Sequence, residues 1–348
     1  MISGDTLAPV LAAYGFSTEA SLTPLEGGLI NQTLRVDEAG RRVVLQQLHP
    51  VFGPTVHLDI EAITAHLAQK GLATPRLVRT RDGALWTTDA SGHVYRMLTW
   101  LEGRTVQAVD RPETAHAAGR LVGRFHGAVA DLQHDFHFVR AGVHDTSAHL
   151  LTLRRAVHDC ADHPDHARIA PLAEAIGARI EALAPLPELP ARIAHGDLKI
   201  ANVLFDRAGE EAIALLDLDT MGRLTIAMEM GDAFRSWCNP GGEDAGRVHF
   251  DAGVFEAGIV GYAAEARALL TPDEVASLVA GVELIALELA ARFCADALYE
   301  RYFGWNPRKF ASRSEHNRVR AESQRALADS VRAQRSALEA VVRRHFGG

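Results

Sequence analysis

Asp197, Lys199, Asn202 and Asp217 are the residues whose types and spacing could do chemistry. They lie in Ile193-Ala194-His195-Gly196-Asp197-Leu198-Lys199-Ile200-Ala201-Asn202-Val203-Leu204-Phe205 and, a short distance on, in Leu215-Leu216-Asp217-Leu218-Asp219. A carboxylate, then an amide oxygen five residues later, then a second acidic element suits phosphoryl transfer. In that reaction a protein does little covalent work: it orients an attacking hydroxyl, holds Mg²⁺ on the phosphates and offsets charge on the moving group. Asp197 is the candidate base on the hydroxyl, while Asn202 and Asp217 offer hard oxygen ligands for Mg²⁺. Lys199 adds a point charge beside the γ-phosphate. Singly, an Asp or Asn at a strand end is an ordinary turn former. Four polar types at fixed offsets carry the chemical reading.

The elements that must hold these residues are legible around them. Val203 to Phe205 and Ala212 to Leu216 are apolar runs flanking a turn signal, Asp206-Arg207-Ala208-Gly209, so a hairpin is expected with the polar residues at its strand edges. The spacing matches the kinase catalytic loop H-R-D-x-x-x-x-N, with Gly196 in place of the Arg. Asp217 falls where the metal-binding Asp of D-F-G belongs.

Upstream, residues 21 to 48 read as two strands, Leu25 to Val36 and Arg42 to Leu48, around the turn Asp37-Glu38-Ala39-Gly40. Gly27 and Gly28 allow backbone close to a phosphate, and Asn31 follows them. A Gly-Gly pair is a weak signal, since most simply turn the chain. There is no G-x-x-x-x-G-K-[ST] and no full G-x-G-x-x-G. Where protein kinases carry a strand lysine on the phosphates, this strand ends Val44-Leu45-Gln46, making Gln46 the candidate for that position. Gln46 brings no charge, which leaves Lys199 as the one ammonium expected near the phosphates. A helix over about Val56 to Gln69 puts Leu58, Ile63 and Leu67 on its apolar side, and Glu61 toward Gln46 or toward solvent. Three β-like runs follow, 76–80, 84–88 and 93–101. The last leads out of β-pattern, so a hinge falls at Met97 to Gly103, where backbone around Leu98 and Trp100 would read an adenine edge.

Beyond the hinge the pattern is helical. Asp110-Arg111-Pro112-Glu113 supplies a cap, an early Pro and Glu at N3, ahead of Leu121, Val122, Phe125, Val129 and Leu132 at helical spacing. Residues 134 to 166 are rich in His and Asp; their spacing fits no standard zinc pattern, and a solvated loop is the favoured reading over metal binding. Thr271-Pro272-Asp273-Glu274 is a capping box opening a long apolar helix over about 272 to 302. Within it Glu288, Arg292, Asp296 and Glu300 stand four apart on one face, as an internal ion-pair ladder or as a polar wall of a substrate cleft. A charged amphipathic helix over about 314 to 344 closes the sequence, packing on the larger lobe.

At 348 residues, 47% hydrophobic and 23% charged, the chain can bury two packed lobes, expected at 1–101 and 102–348. A net charge of −8 disfavours nucleic acid or an anionic membrane as partner, so the substrate is expected to be small. Lys70, Lys199 and Lys309 are the only lysines. Cys160, Cys238 and Cys294 form neither a disulfide framework nor a C-x-x-C pair, which fits a reducing cytoplasm. Leu7 to Phe16 reads as a short amphipathic helix rather than a signal peptide, and no run reaches the length of a membrane span.

The chain resembles the aminoglycoside phosphotransferase and choline kinase group, and more narrowly is similar to bacterial N-acetylhexosamine 1-kinases. The residues that carry this are Gly27 to Thr33, Val44 to Leu48, Val143-His144-Asp145-Thr146, the Asp197 to Asn202 stretch, Leu216 to Thr220, Gly231 to Arg235, Arg292-Phe293-Cys294-Ala295-Asp296 and Glu315-His316-Asn317. The resemblance implies an α+β, two-lobed protein-kinase-like fold with a small antiparallel β lobe and a larger helical lobe. It implies ATP and Mg²⁺ as cofactors, a monomer or homodimer, Asp197 as base on a sugar's anomeric hydroxyl, and Arg292, Asp296 and Tyr302 at the sugar. The sequence departs from the narrower group at His195-Gly196-Asp197 and around Met221 to Met230. An N-acetylhexosamine or hexosamine kinase is therefore the first expectation. An aminoglycoside or amino-alcohol (choline- or homoserine-like) kinase is the second, with Glu229, Asp232, Glu243 and Asp244 able to line a cleft for a cation and Arg235 and Arg292 opposing it. An inactive nucleotide-binding scaffold is the third.

Overall fold

The computed structural model describes residues 4–25, 31–140, 142–244 and 248–347. The glycine pair Gly27-Gly28 lies outside them.

The first lobe grows from the hairpin of β2 (Gln32–Glu38) and β3 (Arg41–Gln47), closed by Ala39 and Gly40, both at positive φ (49° and 80°) as a tight two-residue turn between right-twisted strands needs. β1 (Ser21–Pro24) pairs with β2 as a separate edge strand, so the region holds three strands rather than two. β4 (Leu77–Val78), β5 (Thr87–Thr88) and β6 (Val94–Thr99) complete an antiparallel sheet ordered β1-β2-β3-β6-β4, with β5 also on β6. Two of the three β-like runs shrink to two-residue strands. Thr80 ends the first: its Oγ1 accepts the Ala84 amide at 2.8 Å and starts a turn.

Alternation along the strands gives the sheet two buried faces. Val36, Val43, Leu45, Tyr95 and Met97 point to α1 (Gly4–Ala13), against Leu7, Val10 and Leu11. Val44 and Leu98 point the other way, to α2 (Val56–Gln69). That helix buries Val56, Ile60, Ile63 and Leu67, a stripe at i, i+4, i+7 and i+11, each side chain contributing about 1.5–3 kcal/mol. Leu58 lies off this stripe and is exposed, contrary to its expected apolar position.

The second lobe contains α3 (Pro112–Val129), α4 (Thr146–Asp159), α5 (His166–Glu181), β7 (Ala191–Ala194), β8 (Val203–Phe205), β9 (Ala212–Leu215), β10 (Gly222–Thr225), α6 (Ile226–Trp237), α7 (Ala252–Ala266), α8 (Pro272–Tyr299) and α9 (Arg313–Phe346). Helix α3 starts at Pro112 with Arg111 as N-cap and no capping side chain; Asp110 sits one residue too early for that role. The capping box at Thr271 and Glu274 forms as read. Helix α8 is buried on nearly every side, and α9 packs along it. Gly281 lets α6 come close, since a Cβ there would stand 2.0 Å from the Ala227 carbonyl oxygen. Among the described residues no helix is long and apolar enough to cross a membrane.

Candidate active site

Two short antiparallel ribbons, β7 with β10 and β8 with β9, frame the site. Asp197 leaves the end of β7, Asn202 sits immediately before β8, and Asp217 follows β9 by two residues. The Leu216 amide donates to the Asn202 carbonyl at 2.8 Å, extending the β8–β9 ladder until it brings Asn202 beside Asp217. Asn202 Nδ2 donates to the Asp197 carbonyl (2.8 Å) and to Asp197 Oδ2 (2.9 Å), which leaves its Oδ1 free of either bond. Lys199 Nζ lies 2.5 Å from Asp197 Oδ2 and 3.9 Å from Asp217 Oδ2. All four sequence-selected residues thus meet at one point.

Gly196 explains why the arginine of the kinase loop is missing. Its φ is +79°, and a Cβ would stand 2.4 Å from the Thr220 carbonyl oxygen. Thr220 Oγ1 in turn donates to the His195 carbonyl at 2.9 Å. The loop after Asp217 and the loop that bears Asp197 are therefore in direct contact, which a larger residue would prevent.

Buried groups hold this loop from behind. Glu229, on α6, accepts the His195 amide at 2.7 Å and the Gly196 amide at 2.9 Å. Burial pushes its carboxyl up, but His126, with Nε2 3.5 Å away, and the loop amides outweigh that and hold it below the usual range. Trp237 Nε1 donates to the Leu198 carbonyl at 2.7 Å. His195 Nδ1 accepts the Asp197 amide at 3.3 Å, and its Nε2 donates to the Leu216 carbonyl at 2.8 Å. The sequence offers Glu229 as one of four acids able to line a cleft for a cation. It is instead spent on backbone, as Glu243 is on Arg235 and Asp244 on His316 and Arg320.

Asp217 has left-handed backbone, φ 62° and ψ 61°, a conformation that costs a non-glycine residue about 1–3 kcal/mol and persists only where the surroundings impose it. Burial, then the neighbouring charges of Asp219 and Asp197, raise its carboxyl above the usual range despite Lys199. A hard divalent cation relieves such crowding of carboxylates, so the oxygen set of Asp217 and Asn202 fits one. Lys199 is desolvated, yet the carboxylates of Asp197 and Asp217 win and raise its pKa.

The lobes meet at a buried network that sequence reading missed. Arg96, from β6, forms a bidentate ion pair with Asp219, with Nη2 2.8 Å from Oδ2. Asn31 Nδ2 donates to Asp219 Oδ2 at 2.7 Å, and Asn31 Oδ1 accepts the His49 amide at 2.9 Å. Gln46 Oε1 accepts from Arg96 Nε (2.9 Å) and Nη2 (2.8 Å). Burial raises the Asp219 carboxyl, but Arg96 and Asn31 overcome it and hold the group low. Gln46 therefore orients an arginine from the adjacent strand, and the lobe is not short of cationic charge at this place. The only sequence clue was an Arg with apolar neighbours in the run Val94 to Thr99.

Other expected residues lie elsewhere. Glu61 is not turned to Gln46: its Oε1 pairs with Arg79 at 2.7 Å, because the helix face carrying it looks toward the 79–83 turn. The Leu98 side chain is buried under α2, and its backbone lies between Val44 of β3 and Leu77 of β4. Trp100 is half-buried, with the guanidinium groups of Arg35 and Arg42 5.8 and 5.6 Å from its ring. Asp296 accepts the amides of Arg301, Tyr302 and Phe303 at 2.8–3.0 Å and Asn317 Nδ2 at 2.9 Å, which stops α8 and consumes the carboxylate. Glu300 consequently caps the helix in left-handed conformation instead of continuing the four-residue ladder. Glu288 takes His144 Nδ1 (2.9 Å) and Thr146 Oγ1 (2.8 Å). Arg292, one turn on, lies over the rings of Tyr302 (5.9 Å) and Phe303 (5.6 Å) and has no carboxylate partner among the described residues.

Comparison with known proteins agrees with this geometry. The chain is 28% identical to a homoserine kinase of Bradyrhizobium sp. (strain BTAi1 / ATCC BAA-1182), over 68% of this chain and 69% of that protein. It is 27% identical to a homoserine kinase of Sinorhizobium fredii (strain NBRC 101917 / NGR234), over 86% and 85%. Its fold matches a microcompartment-associated aminopropanol kinase (TM-score 0.63, 17% identity, 97% of this chain and 99% of that one) and a choline kinase from Cryptosporidium parvum Iowa II (TM-score 0.60, 10% identity, 99% and 100%). These names carry homoserine and amino alcohols rather than a hexosamine. With the profile of the phosphotransferase enzyme family matching residues 21–268, and with Asp197, Lys199 and Asp217 meeting beside a small antiparallel lobe, the chain belongs to that phosphotransferase family.

Proposed function

We propose that the protein is an ATP- and Mg²⁺-dependent kinase whose acceptor is the hydroxyl of a small amino-acid-like alcohol of the homoserine type. The observation that carries this reading is Arg292, a guanidinium with no carboxylate partner among the described residues, one helical turn from Glu288. An acceptor bearing both an ammonium and a carboxylate suits a wall of mixed sign, whereas a neutral sugar has no use for it. The homoserine kinases among the relatives support the same acceptor.

In the mechanism, residues 1–101 cover the nucleotide and residues 102–348 supply the chemistry. Asp197 takes the proton from the acceptor hydroxyl as the oxygen attacks the γ-phosphorus and the bond from that phosphorus to the departing ADP breaks, and Glu229 with Trp237 keeps that carboxylate in place. Lys199 moves its charge from Asp197 to the transferring phosphoryl group. Asn202 Oδ1 and Asp217 would hold Mg²⁺, which when bound would neutralise charge on the phosphates. Arg96 fixes Asp219 and, through it, the turn that aims Asp217.

The test is a panel of L-homoserine, 1-amino-2-propanol, choline, N-acetylglucosamine and an aminoglycoside, scored by ADP release. Homoserine should give the highest kcat/KM. Arg292→Met should then raise KM for homoserine by roughly tenfold or more, the loss of a charge-assisted pair of about 1.5–3 kcal/mol, with little effect on acceptors lacking a carboxylate. Tyr302, 57% exposed, favours a second reading, in which its ring stacks on a sugar and the product carries an anomeric phosphate. Phosphorus NMR of the product separates the two. No turnover with any acceptor would leave a nucleotide-binding scaffold.

A pH dependence follows from Asp217. Protons and the metal compete for its carboxylate, and its pKa is raised, so the rate at fixed subsaturating Mg²⁺ should fall on acidification sooner than for an ordinary carboxylate. Raising Mg²⁺ should move that midpoint to lower pH; a midpoint indifferent to Mg²⁺ would remove Asp217 from the metal.

A further inference from the structure

The His- and Asp-rich stretch between α3 and α5 is mostly accounted for by hydrogen bonds that tie down loops. His144 serves Glu288, while His149 and His166 donate to the carbonyls of Val143 and Val157. His134 and His137 differ. Both cross from the segment after α3 to Asp59, in the first turn of α2 in the other lobe. Asp59 Oδ1 takes His134 Nε2 at 2.8 Å, His137 Nδ1 at 3.1 Å and the His137 amide at 2.9 Å, while Oδ2 takes the Phe138 amide at 2.9 Å. Three donors crowd one oxygen although its neighbour has a single one. The three side-chain ligand atoms lie within 4.8 Å of one another.

We propose that Asp59, His134 and His137 form a binding site for one divalent ion of the Zn²⁺ type. Two imidazoles with one carboxylate are a donor set for borderline metals, not for Mg²⁺ or Ca²⁺, which take oxygen throughout. The spacing fits. With bonds of about 2.0–2.1 Å, tetrahedral ligand atoms stand about 3.3 Å apart, so separations of 2.8 and 3.1 Å need to open by only a few tenths of an ångström. The burial fits as well: Asp59 is buried and the His134 side chain is 10% exposed, whereas the His137 side chain is 50% exposed, leaving its side of the site open to a completing water. Each neutral ring keeps its proton on the nitrogen facing away and presents the other to the ion. The bound ion cross-links α2 of the small lobe to the segment following α3 of the large one, and the site shares no ligand with Asp217 and Asn202.

The experiment is calorimetric titration of ZnCl₂ into the full-length, EDTA-treated protein in excess Mg²⁺, with a thermal melt at each end point. One equivalent should bind and raise the melting temperature. His137→Ala, at a half-exposed position, should melt like the parent without Zn²⁺ and bind it at least about tenfold more weakly, since even losses beyond the ligand shell cost that much. Asp217→Asn should bind like the parent. Absence of saturable binding, undiminished binding in His137→Ala, or loss in Asp217→Asn would each overturn the proposal. Anomalous scattering at the zinc edge from crystals of the unaltered protein gives an answer independent of any variant: a peak among these three residues supports the site, and a peak only elsewhere refutes it.

Discussion

Replacing Asp197 by Asn lowers kcat by roughly 10²–10⁴-fold, the range expected when a positioned general base is lost, while nucleotide affinity stays nearly unchanged. The local geometry makes this substitution a clean one. The Asp197 backbone is held by the Asn202 side chain and by His195, neither of which needs the carboxylate charge. Asparagine keeps the shape and loses the proton acceptor. Lys199 loses its nearer carboxylate in the variant and retains Asp217, so its charge stays in the cleft. Single-turnover ADP release measures the rate, and titration with a non-hydrolysable ATP analogue measures the affinity. Undiminished turnover would eliminate Asp197 as the base. Lys199→Ala should behave differently, lowering the rate and weakening ATP together, because an ammonium acts on phosphate charge already present in the bound ground state.

Arg96→Met destabilises the protein by about 3–5 kcal/mol, the usual cost of leaving one member of a buried ion pair without its partner. Arg96 and Asp219 are both almost fully buried, and the orphaned carboxylate would keep only Asn31. The sign with pH is fixed by the direction of the Asp219 shift. Its pKa is held below the unfolded value, so the pair's contribution is present above the ordinary carboxylate range and is lost as pH falls through the depressed value. Denaturant unfolding should therefore show parent and variant furthest apart near neutrality and converging in acid. Adding Asp219→Leu to the variant should recover part of the stability, since it removes the unpaired charge, but not activity, since the turn after Asp217 loses its anchor. A fully stable single variant would mean that the pair is not formed in solution.

The chain's local grammar made several elements readable without coordinates. Helix α2 begins and ends where its apolar spacing says, α8 opens on the capping box at Thr271, and the hairpin from Val203 to Leu215 forms around its turn residues. Asp197, Lys199, Asn202 and Asp217 came from the same kind of signal, because a hairpin of fixed length carries them to one place. Periodicity and caps report interactions over a few residues, and in these stretches local preference and the final fold agree.

Partners were not readable. Nothing in the run Val94 to Thr99 says that Arg96 meets a carboxylate 123 residues later, nor that Asn31 meets the same one from 188 residues away. Glu229 looked like a cleft acid and proved to be a buried anchor of two backbone amides; Asp296 looked like a sugar contact and proved to be the stop of its own helix. The physical reason is common to these cases. A carboxylate has no periodicity of its own: whether it faces ligand, water or a backbone amide depends on which donors the packing of distant elements brings to it, and burial then makes that pairing obligatory. The sequence by itself determined the loop from Asp197 to Asn202, the starts of α2 and α8 and the lobe types, and the tertiary structure decided which charges are free to meet a substrate.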